Sequence, residues 1–191
     1  MKTKTVLLWL CMVCFGWLCW NCERIQSYSE IPEIHFKKLI FKDSLDASLN
    51  AIVKYAVLTF SFIDGDGDLG VMPYEKNPID GKPKPGLGLS RIHYTWYQKL
   101  PDETYKEFEF GDGSISQSSE IPYDKVMDKS EAQNKTLKGT IEIEMEKPSN
   151  LKGLDVVRVE FYIVDRAGNK SNIEYTPDFS ILSETGTEIT N

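Results

Sequence analysis

The sequence predicts an all-β fold: a β-sandwich of about seven to eight short strands behind an N-terminal signal segment. Three observations carry this reading. Apolar and polar residues alternate in several short runs, among them Leu58-Thr59-Phe60-Ser61-Phe62 and Ile141-Glu142-Ile143-Glu144-Met145. That is the period of a half-buried strand. Clusters of Gly, Pro, Asn and Asp separate the runs, and no long stretch beyond residue 33 repeats apolar residues at helical spacing.

With 191 residues, 41% of them hydrophobic and 12% aromatic, the chain is long enough for one domain with a real core. The net charge is −7. Residues 1–21 contain Lys2 and Lys4 and no acid, so 20 basic and 29 acidic residues leave the remainder at −9. An acidic body argues against nucleic acid as the main partner and suits a solvated protein that binds cations. The four cysteines, Cys11, Cys14, Cys19 and Cys22, all precede residue 23. The body therefore folds without disulfides.

Lys2 and Lys4 precede an uncharged apolar stretch, Val6 to Trp20, which ends sharply at Asn21-Cys22-Glu23-Arg24. Its length is that of a signal sequence and short for a spanning helix. The segment resembles a bacterial lipoprotein signal peptide over residues 1–21, with Cys22 as the lipidated first residue of the mature chain and Cys19 as the second candidate. The other reading is a membrane-anchoring helix or an ordinary cleaved signal. Residues 22–33 read as a tether, 34–182 as the sandwich and 183–191 as a frayed tail.

Within the body, Ile34 to Phe41 reads as the first strand, and Asp43 to Asn50 as a turn or short helical piece. Tyr55 to Ile63 is the second strand. Gly70 to Ser90 holds four prolines and several glycines and reads as a long irregular loop. Arg91 to Leu100 alternates again, with Trp96 as a core anchor. Thr104 to Phe110 reads as its hairpin partner, and Ser114 to Tyr123 as a short edge strand blunted by Pro122. Thr140 to Met145, Val156 to Val164 and Asn172 to Ile181 complete the set.

The second strand runs into Asp64-Gly65-Asp66-Gly67-Asp68-Leu69-Gly70. Three carboxylates at alternate positions repel one another unless a cation sits between them. A hard divalent ion, Ca²⁺ above others, takes 6–8 oxygen ligands. Counted as a calcium-binding loop of EF-hand type, the run places Asp64, Asp66 and Asp68 at positions 1, 3 and 5, the Gly70 carbonyl at 7 and Glu75 at 12. Position 6 departs from that pattern, being Leu69 rather than Gly, and Pro73 bars the following helix. The loop is thus EF-like at most, and the other reading is a solvated acidic turn.

The turn Val164-Asp165-Arg166-Ala167-Gly168-Asn169-Lys170-Ser171 resembles the closing turn of bacterial immunoglobulin-like domains. Together with the signal segment and Phe62-Ile63-Asp64-Gly65-Asp66-Gly67-Asp68-Leu69-Gly70, it is similar to a group of Bacteroidetes-type lipoproteins. The resemblance spans most of residues 30–182. It implies an immunoglobulin-like sandwich anchored in the cell envelope and carries no activity with it. In such a sandwich the second and sixth strands run the same way, which would bring Asp165 beside the acidic loop as a further metal ligand. Otherwise Asp165 caps its own turn.

No nucleophile elbow, zinc signature, phosphate loop or dinucleotide fingerprint is present, and His35 and His93 lack partners at zinc-ligand spacing. The sequence therefore points to a lipid-anchored binding or structural module stabilised by calcium, with a protein or glycan ligand and no catalysis. Tyr74, Tyr97, Tyr105 and Tyr123 keep open the alternative of a surface carbohydrate-binding module in a glycan uptake system.

Overall fold

The computed structural model describes residues 28–46, 50–70, 79, 88–122, 136–145 and 156–191. Among these it is all-β, with ten strands in two antiparallel sheets. The strands are β1 (Glu33–Asp46), β2 (Ala51–Asp64), β3 (Arg91–Lys99), β4 (Tyr105–Glu107), β5 (Ser116–Glu120), β6 (Leu137–Met145), β7 (Val156–Val164), β8 (Glu174–Tyr175), β9 (Phe179–Ser180) and β10 (Glu188–Thr190). One sheet has the order β10-β1-β2-β6. In the other, β3 and β7 are central, with β4 and β5 on the free side of β3 and β8 and β9 on the free side of β7.

Each outer edge of this sheet is split in two. β4 pairs with Tyr97–Lys99 and β5 with Arg91–Thr95, and between them the chain leaves β3 through a turn closed by Phe110 and Ser114. Pro177 lies between β8 and β9 and cannot donate to the ladder. There Thr176 takes over, its Oγ1 accepting from Val159 N at 2.9 Å while its own N–H donates to Val159 O.

The core is the seam between the sheets. Ile34, Phe36, Leu39 and Phe41 of β1 and Leu58, Phe60 and Phe62 of β2 meet Ile92, Tyr94 and Trp96 of β3 and Val157, Val159, Phe161 and Ile163 of β7. Buried positions in β1 are even up to Phe36 and odd from Leu39. A β-bulge between Phe36 and Lys38 makes the change, because one extra residue reverses which face a strand presents. Across the seam, the Phe161 ring packs edge-on against Phe36 and tilted against Phe60, and Phe179 packs tilted against Phe41; within its own sheet Phe179 meets Trp96 edge-on.

Two expectations fail. Of Asp43 to Asn50, expected as a turn or short helical piece, Asp43 to Asp46 is strand: pairing continues from Asp43↔Lys54 to Asp46↔Ala51, extending a hairpin whose exposed Leu45 and Ile52 lie opposite each other. The tail, expected to fray, contributes β10. There Ile189 is buried beside β1, and Gly186 (φ 87°) donates its N–H to Phe41 O at 2.8 Å. A single apolar anchor in nine residues leaves no periodic trace.

Candidate metal centre

β2 and β7 lie in different sheets, yet their C-terminal ends emerge at the same end of the sandwich. The residues that follow them converge. One oxygen from each of Asp64, Asp66, Asp68 and Asp165 lies within 4.8 Å of the others. Asp64 is fully buried and Asp165 nearly so, while Asp66 and Asp68 are half-buried.

Backbone holds three of these carboxylates. Leu69 N donates to Asp64 Oδ2 at 2.9 Å, which folds the acidic loop back on its first residue. Ala167 N donates to Asp68 Oδ2 at 2.7 Å and so ties the loop to the turn after β7, 99 residues away. Asn169 holds both oxygens of Asp165, through its backbone N at 2.8 Å and its side-chain amide at 2.9 Å. Asp165 thus caps its own turn and also faces the loop.

Other oxygens of the cluster lack such partners. Asp64 Oδ1, Asp66 Oδ1 and Asp68 Oδ1 are buried and accept no hydrogen bond. An orphaned buried acceptor is costly, and a charged one more so. The electrostatics agree. Burial, opposed by the Leu69 N–H and reinforced by Asp66 and Asp68, pushes the Asp64 carboxyl up to about 7. Burial, then the charges of Asp165 and Asp66, raises Asp68, against the pull of the Ala167 N–H and Arg166. A fully buried carboxylate with an unsatisfied oxygen, set among three others, is the chemistry a bound cation would relieve.

The glycines have separate reasons. Gly67 (φ 72°) and Gly70 (φ 94°) take left-handed backbone that lets the loop close. Gly65 has no such φ. Its reason is contact, since a Cβ there would lie 2.2 Å from Ser29 O. Leu69, at the position where an EF-hand needs Gly, is buried in the core and supplies the N–H that holds Asp64.

Of the residues read as metal ligands from sequence, Asp64, Asp66, Asp68 and Asp165 come together. Gly70 sits at the loop's end, with its N–H donating to Ser90 Oγ at 2.9 Å. Glu75 and the lipidation candidate Cys22 lie outside the described residues, as do Tyr74 and Tyr123. Two positioning residues are missing from the set that the sequence suggests. Asn169 has a signal, its place in the Asp165–Asn169 turn. Ser90 has none, because its partner is 20 residues away across an irregular loop.

Tyr97 and Tyr105 do share one outer sheet face, but they surround Arg158. Its guanidinium carbon lies 3.5 Å from the ring centre of Tyr105, 4.7 Å from Tyr175 and 5.6 Å from Tyr97. The hydroxyls of Tyr97 and Tyr175 reach Glu160, and that of Tyr105 reaches Asp178. This cluster already satisfies its rings with an internal cation. His93 likewise stacks on Tyr162, with ring centres 4.9 Å apart, and His35 lies at the surface beside Glu33 and Glu174. Compared with family models, curated proteins and solved structures, the chain matches none.

Proposed function

We propose that the chain is a lipid-anchored module of the bacterial cell envelope, an immunoglobulin-like sandwich stabilised by Ca²⁺ that works by binding or as a structural element, without catalysis. The observation that carries the calcium reading is the convergence of Asp64, Asp66, Asp68 and Asp165 with three buried, unpartnered oxygens. All four donors are hard oxygens, and Ca²⁺ prefers such ligands. At Ca–O distances of 2.3–2.6 Å, ligands on opposite sides of one ion stand about 4.6–5.2 Å apart. A cluster within 4.8 Å fits that span. The Gly70 carbonyl and Glu75 are proposed as further ligands on the EF-like count alone.

The immunoglobulin-like reading draws on strand order. The order β1-β2-β6, with β10 added outside β1, opposite β4/β5-β3-β7-β8/β9 is compatible with strands A-B-E opposite C′-C-F-G of that fold and supports the reading. Trp96, buried on the third main strand, stands where those domains keep their core tryptophan. In antibody domains a disulfide joins strands B and F. Here the cation would join the ends of the same two strands.

Calcium should raise the melting temperature and chelation should lower it. At free Ca²⁺ of a hundred times Kd the gain is about 2.7 kcal/mol, or roughly 5–10 °C for a domain of this size. Asp66→Asn and Asp165→Asn should each shrink the shift. Equal melting with and without Ca²⁺ would defeat the calcium reading. Loss of the shift in Asp66→Asn but not in Asp165→Asn would remove Asp165 from the site. The anchor has its own test: a fatty-acid label incorporated in cells should vanish in Cys22→Ala, and its retention would move the anchor to Cys19.

A carbohydrate-binding role in glycan uptake is the second reading. Of the tyrosines that suggested it, Tyr97 and Tyr105 are described and both face Arg158, so a glycan would have to displace that cation. A glycan array tests it directly.

A further inference from the structure

The chain that leads into β1 crosses the same end of the sandwich as the four carboxylates, and it touches both halves of the cluster. Gly65, between Asp64 and Asp66, donates its N–H to Ser29 O at 2.9 Å. The backbone there is so close that Gly65 cannot carry a side chain: a Cβ would lie 2.2 Å from Ser29 O and 2.6 Å from Tyr28 O. On the other half, Asn169, which holds both oxygens of Asp165, also reaches Glu30 O with its side-chain amide at 3.4 Å. A third point lies on β6. The Lys138 ammonium bonds the Tyr28 hydroxyl and sits 3.7 Å from that ring's centre. Lys138 is the register partner of Ile63, next to Asp64.

We infer that cation binding at Asp64, Asp66, Asp68 and Asp165 clasps residues 28–31 onto the domain, so that divalent cation governs whether the incoming chain is docked or free. The inference rests on the calcium reading above. Its physical basis is shared geometry. The Gly65 N–H can meet Ser29 only when the peptide between Asp64 and Asp66 is in place, and that peptide carries two of the repelling carboxylates. Without a cation, repulsion among buried charges opposes the closed loop. With a cation, the loop and the Asp165–Asn169 turn are drawn together, and both contacts to residues 29 and 30 form at once. Coupling of this kind is reciprocal: docking must tighten cation binding by the factor by which the cation tightens docking. In a chain anchored at Cys22, the six residues up to Tyr28 span at most about 20 Å. Clasping would therefore hold the cation end of the sandwich toward the membrane and restrict the swing of the domain.

The test is hydrogen exchange on the full chain in detergent micelles, in saturating Ca²⁺ and in chelator, with calorimetric Ca²⁺ titration alongside. The reporter is the Ile31 amide, which donates to Ser29 Oγ and lies outside the acidic loop. Exchange at Ile31 should slow at least tenfold in Ca²⁺. In Gly65→Ala, which leaves all four carboxylates, Ile31 should exchange fast with or without Ca²⁺, and affinity should fall by the protection factor lost. Lys138→Ala, a milder change on a strand edge, should shift both quantities in the same direction and by matching factors. Ca²⁺ binding in the wild type with Ile31 unaffected would overturn the clasp and leave the site standing. Absence of Ca²⁺ binding would overturn both. Fast Ile31 exchange in Lys138→Ala at unchanged Ca²⁺ affinity would break the reciprocity and with it the clasp.

Discussion

Replacing Phe161 by alanine is expected to remove about 3–5 kcal/mol of stability, the range for truncating a buried aromatic side chain. Phe161 is fully buried at the middle of β7 and projects across the seam between the sheets. Its ring meets Phe60 at 5.5 Å and Phe36 at 6.4 Å between centres, the first tilted and the second edge-on. One truncation thus removes contacts to both long strands of the opposite sheet. No disulfide supports the body, since no cysteine follows Cys22. Domains of this kind hold only about 5–15 kcal/mol in total, so the variant should sit near the edge of unfolding at room temperature. Urea denaturation monitored by Trp96 fluorescence would show a lower midpoint at unchanged slope. Ile52→Ala is the control. Ile52 is 74% exposed at the far end of the β1–β2 hairpin, and its truncation should cost no more than about 0.5 kcal/mol. Similar losses in the two variants would mean that the core does not lie between these sheets.

Phe161 is legible in the sequence, because Val157, Val159, Phe161 and Ile163 alternate with other residues in an unbroken run. Where one face of a strand is buried and the other wet, period two is nearly sufficient evidence. The same holds for β3 and β6, whose buried residues are those the alternation marks. Legibility ends where stability comes from pairing rather than patterning. The outer half of the β1–β2 hairpin continues by backbone pairing, through side chains as polar as Asp43 and Ser44. β10 is fixed by one buried isoleucine and a glycine turn. At the candidate site, Asp64, Asp66 and Asp68 stand out by their spacing, and Asp165 becomes their neighbour through strand direction. Gly65 is different. In sequence it is one of the glycines that let the loop fold tightly between the acids, but its φ is ordinary and its constraint is the backbone of Tyr28 and Ser29. A contact between residues 36 positions apart leaves no local mark.

In the absence of cations the folded chain should be more stable at pH 5 than at pH 8, contrary to what paired carboxylates ordinarily produce. The sign follows from Asp64. Its ordinary value is 3.8, and in the folded protein burial, with Asp66 and Asp68 close by, pushes it up to about 7. Between about pH 4 and 7 the folded state therefore keeps a proton that the unfolded state has released. Stability falls with pH wherever the folded state binds more protons. At about 1.4 kcal/mol per pH unit, Asp64 alone contributes a loss on the order of 4 kcal/mol across that window. Asp68, also raised, acts in the same direction. Asp102, Asp112 and Asp178 are lowered from 3.8, so their stabilisation is lost only below about pH 4 and leaves this window untouched. His93 opposes the trend. Burial, then Arg91 and Lys170, lowers it from 6.5, so its contribution rises with pH up to about 6.5. Asp64→Asn separates the contributions: it should reduce the fall in cation-free protein, leaving the smaller fall from Asp68 set against the rise from His93. Saturating Ca²⁺ should invert the wild-type profile, because protons and cation compete for the same oxygens and the cation wins as pH rises. Chemical denaturation at pH 5, 6, 7 and 8 in chelator and in Ca²⁺ reads all three curves. Cation-free stability that climbs steadily from pH 5 to 8 would mean that the four carboxylates do not repel one another in the folded chain.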